Sequence, residues 1–115
     1  MKVEVDARHV MIYVNSNDQW HGQPLYSAIV QVCQQKGLAG ATVTRCVEGY
    51  GASQYLHTTR LLELSENLPV RIDVIDLPER IESLLSALEE MIGEGLVVVS
   101  PVHIIRYLPD PRKTT

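Results

Sequence analysis

Apolar residues in this chain change their spacing from block to block, and each change marks an element. His9 to Val14 reads H-V-M-I-Y-V, a β-branched run too short for a helix of its type, so Asp6 to Asn15 is expected as a strand covered on both faces. N-S-N-D-Q-W-H-G-Q-P, from Asn15 to Pro24, is a loop by composition. Pro24 suits the first turn of a helix, where its missing N–H costs nothing. Leu25, Ala28, Ile29, Val32 and Cys33 then recur at i, i+3, i+4, i+7 and i+8, one helical stripe. Gly37 stops this helix, with Lys36 in its last turn beside the negative end of the dipole. Leu38 to Tyr50 is the second strand. Ala41, Val43, Arg45 and Val47 share one face, and Thr42, Thr44, Cys46 and Glu48 share the other.

A long connection follows from Gly51 to Leu68, within which Arg60 to Leu64 suits either a strand or a helical turn. P-V-R-I-D-V-I-D, Pro69 to Asp76, is the third strand, its Val70, Ile72 and Val74 alternating with Arg71 and Asp73. Asp76 reads as a helix N-cap, with Pro78 near the first position and Glu79 in the first turn. Ile81, Leu84, Leu85, Leu88 and Ile92 form the second helical stripe, which ends at Gly93 or Gly95. Leu96 to Tyr107 is the last strand. Pro101 interrupts it and marks a bulge, an edge or a break. The tail beyond residue 108 is polar and frayed.

This β-α-β-β-α-β order predicts an α+β, ferredoxin-like split βαβ domain, its antiparallel four-stranded sheet carrying both helices on one face. The first and last strands are apolar on both sides, so the helix-free face needs cover. That points to an oligomer, with a threefold or a twofold arrangement equally able to supply it.

Composition narrows the function. At 115 residues the chain holds one domain, residues 1–115, with its core over about 8–107 and a flexible 108–115 tail. Apolar residues make up 45% of it, an ordinary globular share. No apolar run approaches the roughly 18 residues that span a bilayer, so direct membrane insertion is not expected. The first residues lack the apolar core of a signal peptide, and the cytoplasm is the expected location. A net charge of -4 with no cluster of Lys and Arg argues against nucleic acid. Cys33 and Cys46 are not in a C-x-x-C spacing and read as reduced core residues.

Candidate chemistry gathers between Glu48 and Arg60. Gly49 and Gly51 permit unusual backbone angles or a close ligand approach, or else simply twist a strand into a turn. His57 and Arg60 stand three apart with Thr58 and Thr59 between them. This fork of cation, imidazole and hydroxyls suits a phosphate or carboxylate, with Ser53 nearby in the same loop. The alternative is an exposed hairpin whose Arg60 pairs with Glu63 or Glu66. Arg45 lies on the more apolar face of its strand; if it faces inward it needs a partner such as Glu48, an acid of a neighbouring subunit, or an anion. Trp20 and His21 read as a staple over the helix start. His9, His103 and Cys46 show no metal-ligand spacing, so no metal residues are assigned. No nucleophile–base pair stands out, and the chain is not expected to be an enzyme.

The blocks G-Q-P-L-Y (Gly22 to Tyr26), G-L-A-G-A-T-V (Gly37 to Val43), E-G-Y-G-A (Glu48 to Ala52), H-T-T-R (His57 to Arg60), L-S-E-N-L-P-V (Leu64 to Val70) and I-G-E-G-L-V (Ile92 to Val97) resemble the family known as domain of unknown function 190. The resemblance spans about Val10 to Tyr107. That family is similar in fold to the PII signal-transduction proteins and to the CutA-type trimers. It implies a PII-like homotrimer that binds a small anionic effector, or a nucleotide, in clefts between subunits. A mobile loop after the second strand would report the ligand to a protein partner through residues 49–60, with a membrane transporter among the candidate partners. The ligand-binding set so implied is Gly49, Gly51, Ser53, His57, Thr58, Arg60 and Arg45, with no bound cofactor required. CutA-like divalent-metal binding or tolerance is the alternative. PII proteins carry a longer loop with a modifiable Tyr and a basic motif after the second helix. Here the loop is compact and Ile92 to Gly95 holds no Lys/Arg pair, so 2-oxoglutarate sensing and loop uridylylation are not carried over to Tyr50 or Tyr55.

Overall fold

The computed structural model describes residues 1–49, 57–58 and 68–113; at 48, 49, 57 and 58 it describes the backbone alone. Its main sheet contains β1 (Lys2–Asn15), β4 (Thr42–Arg45), β7 (Pro69–Asp76) and β8 (Leu96–Tyr107) in the order β4-β7-β1-β8, with every neighbouring pair antiparallel. Helices α1 (Leu25–Gln35) and α2 (Pro78–Met91) pack on one side of it. This is the ferredoxin-like arrangement that the alternation of periods predicts.

Strand register explains the core. Val10, Ile12 and Val14 of β1 stand opposite Val74, Ile72 and Val70 of β7, and all six are buried. Paired residues of an antiparallel ladder point to the same side, so they form one apolar surface. Leu25, Ala28, Ile29 and Cys33 of α1 and Ile81, Leu84, Leu88 and Met91 of α2 close over it. Each large aliphatic side chain buried this way contributes about 1.5–3 kcal/mol relative to exposure. Burial also raises the Cys33 thiol above its ordinary pKa, as suits a reduced core residue.

Local chemistry sets the helix ends. Gly37 has φ 74 and closes α1 in a Schellman motif, with Leu38 N donating to Cys33 O at 3.0 Å and Gly37 N to Gln34 O at 3.2 Å. Lys36 occupies the C-cap rather than the last turn, and its Nζ donates to Ser83 Oγ at 3.0 Å. Pro78 lies at the start of α2, followed by Glu79, as expected. Asp76 is not the N-cap. Leu77 holds that position, and α2 stops at Met91 with Ile92 outside it.

Several other boundaries differ from expectation. Strand β1 begins at Lys2 rather than Asp6, because β8 offers partners as far as Tyr107. The expected loop before α1 contains a small hairpin, β2 (Gln19–Trp20) with β3 (Gln23–Pro24). Its two-residue turn, His21 at φ 49 and Gly22 at φ 82, has the positive angles that match strand twist. Pro101 does not interrupt β8. The strand runs on past it in unbroken register with β1, because β8 is a sheet edge, where the missing N–H need face no partner.

Candidate functional site

The expected second strand divides in two. β4 pairs with β7 only over Thr42 to Arg45, and Cys46 N adds a hydrogen bond to Pro69 O at 3.1 Å. The chain then leaves the sheet. Glu48–Gly49 (β5) pairs instead with His57–Thr58 (β6), placing Glu48 opposite Thr58 and Gly49 opposite His57. The returning chain is anchored at Leu68, whose N donates to Ser16 Oγ at 2.8 Å and whose O accepts from Ser16 N at 2.7 Å. Both ends of the connection are therefore fixed at one corner of the sheet, where β1 ends and β7 begins.

Of the expected site residues, the backbone brings Gly49, His57 and Thr58 together in this short ladder. Gly51, Ser53 and Arg60 lie outside the described residues. Arg45 is exposed in the single chain, so the condition of an inward-facing side chain is not met there. Alternation puts it with Val43 on the helix side of the sheet, opposite Val70 and Ile72. However, β4 is the outermost strand, and all four of its residues are solvent-exposed. No buried charge there calls for an inward partner.

The loop before α1 behaves as a staple. Trp20 packs against the core, and the exposed His21 ring stacks on it with centroids 4.2 Å apart and planes 12° from parallel. The two strand histidines belong to separate networks on opposite faces. On the helix-free face, His9 Nε2 lies 2.7 Å from Asp73 Oδ1, and Arg71 Nε donates to Asp73 Oδ2 at 2.8 Å. Burial alone would raise the Asp73 carboxyl, but the hydrogen bonds from Arg71 and His9 outweigh it and hold the group below its ordinary range. On the helix side, His103 contacts Glu4 and Asp6. Among the described residues, no group of three or more His, Cys, Asp or Glu side chains is placed to hold a metal ion. No described helix is long and apolar enough to cross a membrane.

Neither network is apparent from spacing, because each joins residues more than sixty positions apart. The visible signal is the polar side of the third strand, where Arg71 and Asp73 alternate with the core valines and isoleucine. Their partner on β1 emerges only once the register is known.

The DUF190 family profile, described as an uncharacterized ACR, matches residues 7–104. A UPF0166 protein of Aquifex aeolicus is 31% identical over 103 residues, covering 88% of this chain and 95% of its own. Among solved structures, CPII of Thiomonas intermedia K12, a nitrogen regulatory PII-like protein bound to ADP, AMP and bicarbonate, superposes with a TM-score of 0.69 at 14% identity, over 89% of this chain and 91% of that one. The GlnK–ATP complex of B. subtilis gives 0.56 at 9% identity, over 84% and 82%. At these identities the structural likeness establishes a PII-like fold.

Proposed function

The chain belongs to the DUF190 family, and we propose that it is a PII-like regulatory protein that senses a small anionic effector of the nucleotide class through the segment from Gly49 to Arg60. The observation that carries this reading is the anchored connection at the sheet corner. Its two ends are fixed by β4–β7 pairing and by Ser16, while Gly49 and His57 stand opposite each other at its base. A glycine there admits a phosphate or carboxylate to backbone N–H groups, and an imidazole with the Arg60 fork supplies charge-assisted hydrogen bonds. That CPII was solved with ADP, AMP and bicarbonate, and GlnK with ATP, supports the choice of ligand class.

The protein assembles with copies of itself, a homotrimer by its PII-like fold, through the helix-free sheet face. Half-buried Met11, Tyr13, Val98 and Ile104 lie there with the exposed Leu96. A neighbouring subunit then completes each cleft. Ligand binding acts by population shift. Whichever arrangement of the 49–60 segment holds the anion better becomes dominant, and a cytoplasmic protein partner reads the change.

Titration calorimetry with ATP, ADP, AMP and bicarbonate tests this reading. Saturable binding by at least one of them, weakened at least tenfold in His57→Ala and Arg60→Ala with the oligomer intact, is the expected result. No heat from any of them at millimolar concentration would refute it.

A further inference from the structure

β7 pairs with β1 only from Arg8 to Asn15. Lys2 to Ala7 pair with β8 alone, opposite Tyr107 to Val102, so the two strands continue beyond the four-stranded sheet as a two-stranded ribbon. Six residues of strand span roughly 20 Å. A two-stranded ribbon is marginally stable by its backbone pairing, so its side chains help decide whether it holds.

One face of the ribbon continues the helix-free sheet face and carries Val3, Val5, Ala7, Val102 and Ile104, with Arg106 opposite Val3. The other face carries a row of charges. Lys2 Nζ lies 3.8 Å from Glu4 Oε2, His103 Nε2 lies 3.0 Å from Glu4 Oε1, and His103 Nδ1 lies 3.1 Å from Asp6 Oδ1. Arg8 follows, paired at 3.3 Å with Glu82 of α2. Beside His103, the β8 residues on this face from Pro101 onward are Pro101, Ile105 and Tyr107, none of which carries a carboxylate or a basic group.

Ionised carboxylates only accept hydrogen bonds, and a neutral imidazole donates from one nitrogen only. With a carboxylate at each ring nitrogen, both contacts are hydrogen bonds only when His103 is an imidazolium. In that state the charges along the face alternate in sign from Lys2 through Glu4, His103, Asp6 and Arg8 to Glu82. Without the proton, one carboxylate loses its donor, and Glu4 and Asp6 face each other as like charges two positions apart on one strand face.

We propose that the β1–β8 ribbon is a proton-sensitive arm: the His103 imidazolium latches Lys2–Ala7 onto Val102–Tyr107, and loss of its proton loosens the ribbon and weakens self-association through the apolar face it carries. The latch stands on the ribbon geometry alone; its effect on assembly rests on the self-association reading above. The carboxylates of Glu4 and Asp6 raise the His103 pKa above its ordinary 6.5, against a smaller opposing effect of burial. The sign follows from that direction. The latch is complete below about pH 6.5 and is lost as pH rises through the higher folded-state value.

The full-length protein is titrated by NMR from pH 6 to 9, following the imidazole Cε1 resonances and the backbone order parameters of residues 2–7 and 102–107. The expected result is a His103 midpoint above 6.5, identified by its loss in His103→Gln, with ribbon order parameters falling from near 0.85 towards 0.6 across that midpoint. His103→Gln is expected to show the low values throughout. His103→Arg, whose guanidinium keeps its charge and its donors, is expected to hold the high values up to pH 9. A His103 midpoint at or below 6.5, or order parameters that do not change with pH in the wild type, would overturn the latch. Light scattering on the same samples separates the two readings. A monomer at every pH refutes self-association itself, whereas an oligomer that persists unchanged while the ribbon loosens refutes only the arm's part in it.

Discussion

Two residues at the junction of α1, β7 and α2 show how differently local and long-range chemistry are encoded. Gly37 ends α1 at φ 74, an angle that costs an L-residue about 1–2 kcal/mol, and Gly37→Ala is expected to lower unfolding stability by about that amount in urea titrations. This role is readable in the chain because the whole motif lies within six residues. Asp76 is different. Its sequence neighbours suggest an N-cap, yet its side chain is buried: Oδ2 accepts from Ala39 N at 2.8 Å and Oδ1 from Leu77 N at 2.7 Å. Arg80 completes the knot by donating from Nη1 to Gly37 O at 3.3 Å. Asp76 thus fixes the turn after α1 against the start of α2, a contact 37 residues distant that no spacing rule reveals. Asp76→Ala removes two hydrogen bonds to a charged acceptor, each worth about 1.5–3 kcal/mol. Its loss in the same titration is expected to exceed that of Gly37→Ala.

At the scale of elements, alternation identifies which residues share a face but not what covers that face. Val43 and Arg45 do lie on the helix side of the sheet, as their spacing indicates, yet both are exposed, because strand order puts β4 at the edge. Pro101 is the counterpart on the opposite edge. The rule that allows three outcomes at a strand proline cannot select one until the strand order is known. The hairpin of β2 and β3 escapes periodicity altogether, since two-residue strands contain no repeat. The candidate site is legible to the same partial extent. Composition marks Gly49 to Arg60, whereas the alignment of Gly49 with His57 and the anchor at Ser16 depend on pairings that close over long loops. Two outcomes belong to this scale. A Cβ at Gly95 would lie 2.8 Å from the Tyr13 carbonyl O and 3.1 Å from Ile92 Cγ2, so Gly95→Ala must displace backbone at the entry to β8. A loss of about 1–3 kcal/mol in thermal or urea unfolding is expected. The cross-strand pair of Asp73 with His9 makes acid stability the second. Because the folded-state pKa of Asp73 lies below 3.8, its contribution is present above that pH and disappears as pH falls through the lower value. Acid unfolding of Asp73→Asn is expected to show a shallower dependence on pH below 4 than the wild type.

The whole molecule raises the question of what covers the helix-free face. Both helices lie on the other side, and on this side Tyr13 and Leu96 stand opposite each other, as do Met11 and Val98, and Val5 and Ile104. The polar rung of His9 and Ser100, with Arg71 and Asp73 beside it on β7, divides this strip into an apolar patch at Met11, Tyr13, Leu96 and Val98 and a second at Val5, Ala7, Val102 and Ile104. Leu96 separates the fold from the assembly. It is 58% exposed in the single chain, so replacing it by Glu should alter an isolated protomer by no more than about 0.5 kcal/mol. If copies pack on this face, the same carboxylate is buried without a partner, at a cost of several kcal/mol per ion. The expected outcome for Leu96→Glu is a folded monomer, with circular dichroism unchanged and light scattering reduced to the 12.9 kDa of one chain. The wild type, by contrast, is expected to scatter as an oligomer and to melt at a temperature that rises with protein concentration, since only the folded form associates. A wild type that melts at one temperature at every concentration and scatters as a single chain would leave the face uncovered. The intersubunit clefts, and any effector held between copies, would then have to be abandoned together, because a cleft between subunits requires a second chain.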